Sequence, residues 1–129
     1  MKNMKILLIE DNDIDVHIAK SLLSSINSAL EIERCKNGQE ALDYLADSGI
    51  TNPDIILLDI NMPVMDGKEF LKERASLATV HEIPVIIVTS SAIMAEKKEC
   101  IELGAYDYIE KPVSVEIFKE KLGLFKLDL

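Results

Sequence analysis

The chain has no apolar run long enough to cross a bilayer or to form the core of a secretory leader. Its N-terminal stretch Ile6-Leu7-Leu8-Ile9 stops at acids after four residues. The cytoplasm is therefore the expected compartment, with no membrane partner. There are only two cysteines, Cys35 and Cys100, and they lack metal-site spacing. Cysteines of this kind read as small buried apolar residues in a reducing compartment. Positive charge is also scarce: 14 Lys and Arg stand against 23 Asp and Glu, a formal net charge of -9. Non-specific binding to nucleic acid needs a basic face, so no nucleic-acid partner is expected. No internal repeat, linker or low-complexity tract interrupts the chain.

What is present fits one domain: 129 residues suffice for one core and not for two. Ile6 to Ile9, Ile55 to Leu58 and Val85 to Val88 are continuous apolar runs of strand length. Strands buried on both faces of a parallel sheet have this composition. Leu30 to Arg34 and Ala105 to Ile109 alternate instead, as edge strands do. Helical patterns fill the gaps. Ile14, Ile18 and Leu22 form a stripe continued by Leu23 and Ile26. Ala41, Leu42 and Leu45 mark a second helix, opened near Gly38 and ended near Gly49; Phe70 and Leu71 mark a third. Ile93, Cys100 and Ile101 predict a fourth that stops at Gly104, and Ile117, Phe118, Leu122 and Phe125 a fifth. Five strand-then-helix units imply an α/β fold. The expected sheet has five parallel strands in order 2-1-3-4-5, with helices on both faces, as in flavodoxin-like folds. In such sheets ligands sit beyond the carboxyl ends of the strands, at the switch point between strands one and three.

The residues that follow each strand carry the chemistry. Glu10 and Asp11 follow the first, Asp59 the third and Thr89 the fourth, while Lys111 follows Glu110 after the fifth. Singly these have bland explanations: Asp11 a helix N-cap, Thr89 a turn hydroxyl, Lys111 a solvated charge, Glu10 surface filler. Asp59 is harder to dismiss, because it ends the most apolar strand, where an unpaired charge is costly. Taken together, three carboxylates, a hydroxyl and an ammonium converge on one rim. Each close carboxylate pair costs about 4 kcal/mol at ~4 Å and an effective dielectric constant near 20. A hard cation such as Mg²⁺ offsets that cost and neutralises a transferring phosphoryl group. Lys111 adds a point charge, Thr89 a hydrogen bond, and Asp59 is an oxygen nucleophile able to form an acyl phosphate.

With these residues in place the sequence resembles the receiver (CheY-like) domain family of two-component signalling, from about Lys5 to about Phe125. Three blocks carry the resemblance: Ile6-Leu7-Leu8-Ile9-Glu10-Asp11-Asn12, the run from Asp54 to Gly67 around Asp59, and Lys111-Pro112 after a Thr-ended fourth strand. The resemblance implies that Asp59 is the phosphoacceptor. It implies that Glu10, Asp11, Asp59 and the carbonyl of Asn61 hold Mg²⁺. Lys111 would contact the phosphoryl group, often next to a cis peptide; Thr89 and Tyr108 would be the switch pair. The family often has Asp-Asp where this chain has Glu10-Asp11. Asn61 and Ser91 fall where the family tunes hydrolysis, and small Ser90 should leave the phosphoryl site open. Implied partners are a sensor histidine kinase or a histidine phosphotransfer protein as donor. A downstream protein target would read the face of the fourth helix, fifth strand and fifth helix, from a monomer or weak homodimer. The chain is expected to be a stand-alone receiver with no output domain, and no enzyme beyond phosphoryl transfer to, and hydrolysis from, its own Asp59.

Three other readings compete. A phosphohydrolase of the haloacid dehalogenase type needs an acid two residues after the nucleophile, where this chain has Asn61. A flavodoxin needs a Ser, Thr and Gly loop after strand one, where this chain has Glu10-Asp11-Asn12-Asp13. A pseudo-receiver would bind partners without phosphorylation, and the intact residue set argues against it. His17 and His81 are the only histidines; the first reads as solvated and the second has no evident partner. Met62 and Met65 read as loop packing beneath the site.

Overall fold

A computed structural model describes residues 4–47, 49–77, 82–90 and 93–123. Phe125, His81 and Ser91 lie outside the described residues. Five units alternate: β1 (Lys5–Ile9), α1 (Asp13–Ile26), β2 (Glu31–Cys35), α2 (Gly38–Ala46), β3 (Ile55–Leu58), α3 (Gly67–Arg74), β4 (Val85–Thr89), α4 (Met94–Glu102), β5 (Asp107–Glu110) and α5 (Val115–Gly123). All strand pairs are parallel. The order is β2-β1-β3-β4-β5, as the apolar runs predict. Adjacent side chains on a strand point to opposite faces, so each continuous run feeds two cores. Leu7, Ile9, Ile56, Leu58, Val85 and Ile87 pack with Ala41, Leu45, Phe70, Leu71 and Cys100. Ile6, Leu8, Ile55, Leu57, Ile86 and Val88 pack with Val16, Ala19, Leu23, Phe118 and Leu122. One face is therefore covered by α2, α3 and α4, the other by α1 and α5.

Polar side chains set where the helices begin. Asn12 accepts from the N–H groups of Ile14 and Asp15, Asn37 from Glu40 and Asp66 from Glu69. Asn12, and not Asp11, is thus the cap of α1, which leaves the Asp11 side chain to the rim. α4 ends in a Schellman arrangement: Gly104 N–H donates to Ile101 and Ala105 N–H to Cys100, with Gly104 at φ 111°.

Several sequence-derived expectations need correction. Ile14 and Ile18 are exposed, and α1 is buried through Val16, Ala19 and Leu23. Leu23 lies nine positions after Ile14, which at about 100° per residue puts it on the opposite side of the helix. Ile93 precedes α4 and Ile101 faces outward; of the three expected residues only Cys100 is buried in α4, together with Lys97. α2 ends at Ala46, short of Gly49, and β5 begins at Asp107 rather than Ala105.

Arg74 ties the opposite end of the sheet together. Its buried guanidinium donates to the carbonyls of Ile83 (2.7 Å) and Gly104 (3.1 Å). Arg74→Met removes donors from two carbonyls, of which that of Ile83 is buried, and an acceptor left unmet in the interior costs about 1–3 kcal/mol. The urea midpoint of that variant should fall accordingly, with the rim chemistry retained.

Candidate phosphoryl-transfer site

The carboxyl ends of β1, β3, β4 and β5 deliver the residues singled out in the sequence to one rim. Asp59 N–H donates to the Ile9 carbonyl (3.0 Å), and Glu10 N–H to the Cys35 carbonyl (3.0 Å), so the ladder continues just past the strand ends and fixes both acids. Glu10 and Asp59 are buried and Asp11 is exposed. Each of the three offers a carboxylate oxygen within 4.8 Å of the others. Arg34, at the end of β2, holds the turn that carries them. Its Nε donates to the Glu10 carbonyl (2.9 Å), and its Nη2 to the Asp11 carbonyl (3.2 Å) and to Asp13 Oδ1 (2.8 Å).

Lys111 enters from the β5 side. Its N–H donates to the Thr89 carbonyl (2.8 Å), and the following bond to Pro112 is cis, in line with the resemblance. Its Nζ lies 2.6 Å from Glu10 Oε1, 2.8 Å from Asp15 Oδ2 and 3.8 Å from Asp59 Oδ2. Burial, and then the neighbouring Asp59 carboxylate, push Glu10 up to about 7 against the pull of Lys111. Burial works against the Lys111 ammonium, but its bonds to Asp15 and Glu10 and the Asp59 charge outweigh this and hold its pKa above the ordinary lysine value.

Thr89 is fully buried at the end of β4, and Ser90 beside it is exposed. Asn61 lies exposed in the loop after β3. Tyr108 is half-buried against the α2–α4 core, with Lys97 Nζ 4.4 Å from its ring centroid. The same Nζ pairs with Glu110 Oε1 at 2.5 Å. Met62 is buried and Met65 partly so, packed in the core beneath the rim as expected. His17 is exposed. A cleft of about 370 Å³ opens beside the acids, lined by Glu10, Asp15, Ile18, Asp59, Ser90 and Lys111.

Three residues escape the strand-end pattern: Asp15, Arg34 and Lys97. A signal for Asp15 exists. Helical Cα–Cβ bonds tilt toward the N-terminus, so an acid in the first turn of α1 leans back over the strand ends. Arg34 was visible as the last charge of an alternating edge strand. Lys97 left no signal, because a buried lysine is not anticipated from apolar periodicity.

A three-carboxylate rim fits a hard cation by donor type, since Mg²⁺ takes oxygen ligands and one or two carboxylates. The family model for the response regulator receiver domain matches residues 6–122. The chain belongs to this family. Receiver relatives divide into lone domains and parts of larger proteins. The polar-differentiation response regulator DivK of Brucella anthropi is 33% identical over 117 residues, which is 91% of each chain. The sensor histidine kinase RcsC of Escherichia coli K12 is 32% identical over 123 residues, 95% of this receiver but only 12% of the kinase. The crystal structure of the phosphorylated cyanobacterial phytochrome response regulator RcpA superposes with a TM-score of 0.82 at 30% identity, covering 95% of this chain and 91% of that one. This receiver thus spans nearly all of some relatives and a small part of others. No helix among the described residues is long and apolar enough to cross a membrane.

Proposed function

We propose that this receiver accepts a phosphoryl group on Asp59 from a phosphohistidine donor and signals by the change in its protein contacts. One observation carries the reading: Asp59 is buried at the end of β3, beside two other carboxylates and 3.8 Å from an ammonium. An Asp59 oxygen attacks the phosphorus as the bond to the donor imidazole breaks. The bonding electrons leave with the imidazole nitrogen, which then takes up a proton. Glu10, Asp11 and Asp59, with the Asn61 carbonyl, would hold Mg²⁺, whose charge neutralises the phosphoryl oxygens. Lys111 contributes positive charge to the same oxygens, and the Thr89 hydroxyl reaches them from the end of β4. The protein's part is placement and charge, as phosphoryl transfer requires. The later loss of the group to water occurs at the same atoms, so the chain is its own substrate and not an enzyme for another.

Phosphorylation then draws Thr89 toward the group, and Tyr108 moves into the space beside it. The face of α4, β5 and α5 changes, and a downstream protein that prefers this form shifts the population by its differential affinity. The donor is a sensor histidine kinase or a histidine phosphotransfer protein. The likeness to RcsC supports the first, and the likeness to DivK, matched over 91% of its length, supports a receiver that works as a separate molecule; its proposed setting is the cytoplasm, and its proposed state a monomer or weak homodimer.

Intact mass after incubation with acetyl phosphate is the direct test. Wild type should gain one phosphoryl group with Mg²⁺ and none with chelator, and Asp59→Asn should gain none under either condition while keeping its folded spectrum. A gain that survives in Asp59→Asn would place the acceptor elsewhere.

A further inference from the structure

Lys111 has a partner that the strand-end pattern did not supply. An ammonium carries three protons. Two are engaged by Glu10 Oε1 at 2.6 Å and Asp15 Oδ2 at 2.8 Å, and the 3.8 Å to Asp59 Oδ2 exceeds hydrogen-bond length. The lysine is therefore drawn to the α1 side of the rim, away from the nucleophile. Asp15 is held in place for this. It stands in the first turn of α1, and its N–H donates to the Asn12 cap at 3.1 Å. We propose that Asp15 is a positioning residue that retains the Lys111 ammonium on the α1 side and competes for it with the phosphoryl group arriving on Asp59. The proposal rests on the reading of Asp59 as phosphoacceptor.

The two carboxylates that hold Lys111 differ in how they release it. Glu10 is anchored at the end of β1 with its side chain 5% exposed, so it gains little from water when the lysine leaves. Asp15 is 34% exposed and can be solvated in the lysine's place. Asp15 is thus the partner whose hold can be exchanged for the phosphoryl group, and its charge sets how far the ammonium must be pulled. In the transition state charge spreads over the phosphoryl oxygens, and a cation already free to meet it lowers the barrier. Removing the Asp15 charge should therefore speed acyl-phosphate formation, whereas a residue that merely supported the fold would slow it or leave it unchanged.

The test measures the rate of phosphoryl gain from acetyl phosphate at saturating Mg²⁺ in wild type, Asp15→Asn, Asp15→Glu, Lys111→Ala and the double variant Asp15→Asn with Lys111→Ala. Asp15→Asn should react about threefold faster or more, a change of roughly 0.7 kcal/mol in barrier. Asp15→Glu, which restores the charge, should return the rate toward wild type. In the Lys111→Ala background the Asp15→Asn gain should vanish, because the competition has lost its object. An unchanged or slower rate in Asp15→Asn overturns the proposal alone. So does a gain that persists without Lys111, which would assign the effect to direct repulsion of the anionic donor. Absence of any gain in wild type overturns the Asp59 reading and this proposal with it.

Discussion

Glu10→Gln should make the metal-free protein more stable at pH 8 and change it little at pH 4. Glu10 is held at about 7 by burial and by Asp59, against 4.5 in its ordinary surroundings. The folded protein therefore keeps a proton that the unfolded chain releases between these values. Protons bound preferentially by the folded state make stability fall as pH rises through that window. A shift of this size corresponds to about 3 kcal/mol at its upper limit. Glutamine carries no charge to desolvate, so the variant escapes the loss. Urea denaturation in the presence of chelator, at pH 4 and pH 8, separates the outcomes. The wild type should lose stability relative to the variant on going from the lower pH to the higher. Equal destabilisation of the variant at both pH values would mean that the bond from Glu10 to Lys111 outweighs burial.

The second large effect concerns Gly67, where α3 starts directly against the strand end that carries Asp59. A Cβ placed there would stand 2.6 Å from the Asp59 carbonyl oxygen and 2.9 Å from the Ile60 Cα. Both neighbours are backbone, and Gly67 N–H donates to the Ile60 carbonyl at 2.9 Å, so neither side can yield cheaply. Gly67→Ala should cost about 3 kcal/mol, the upper part of the range for overpacking. Because the clash is with Asp59's own peptide, the residue that moves is the proposed nucleophile. Phosphoryl gain from acetyl phosphate should therefore fall even at temperatures where the variant remains folded. A variant with wild-type stability and wild-type phosphorylation would show that the loop from Asp59 to Gly67 shifts freely despite the close approach of its backbone to Gly67.

The rim was legible because its residues interrupt apolar runs. A charge directly after Ile55-Ile56-Leu57-Leu58 has few structural explanations, whereas Glu10 after Ile6-Leu7-Leu8-Ile9 gained its meaning only from the joint pattern. Strand order was legible because edge strands alternate where central strands do not. The face of α1 was not, since that helix carries two apolar stripes. Ile14, Ile18 and Leu22 recur every four residues as well as Val16, Ala19 and Leu23 recur at three and four, and periodicity does not say which meets the sheet. Lys97 was hidden for a different reason. Its burial depends on Tyr108 and Glu110, which lie in another element, and pairings between elements leave no mark on local pattern. Asp15 lies between these cases: its place in the first turn was readable, but its bond to a lysine 96 residues away was not.

The central strands raise a problem of their own making. A strand with one oily side and one wet side cannot slide by a residue without turning the wrong side inward. β3 is oily on both sides, so its own four residues would tolerate such a slide. What stops it stands at its ends. Asp54 Oδ2 accepts from the Lys5 N–H at 2.8 Å at one end, and Asp59 stands at the other. A step in either direction would drag one of these charges in between the two layers of helices. The acid that we assign to chemistry is therefore also an end-stop, and it keeps an otherwise slippery strand at one setting. The precision with which the carboxylates meet at the rim comes partly from the carboxylates themselves.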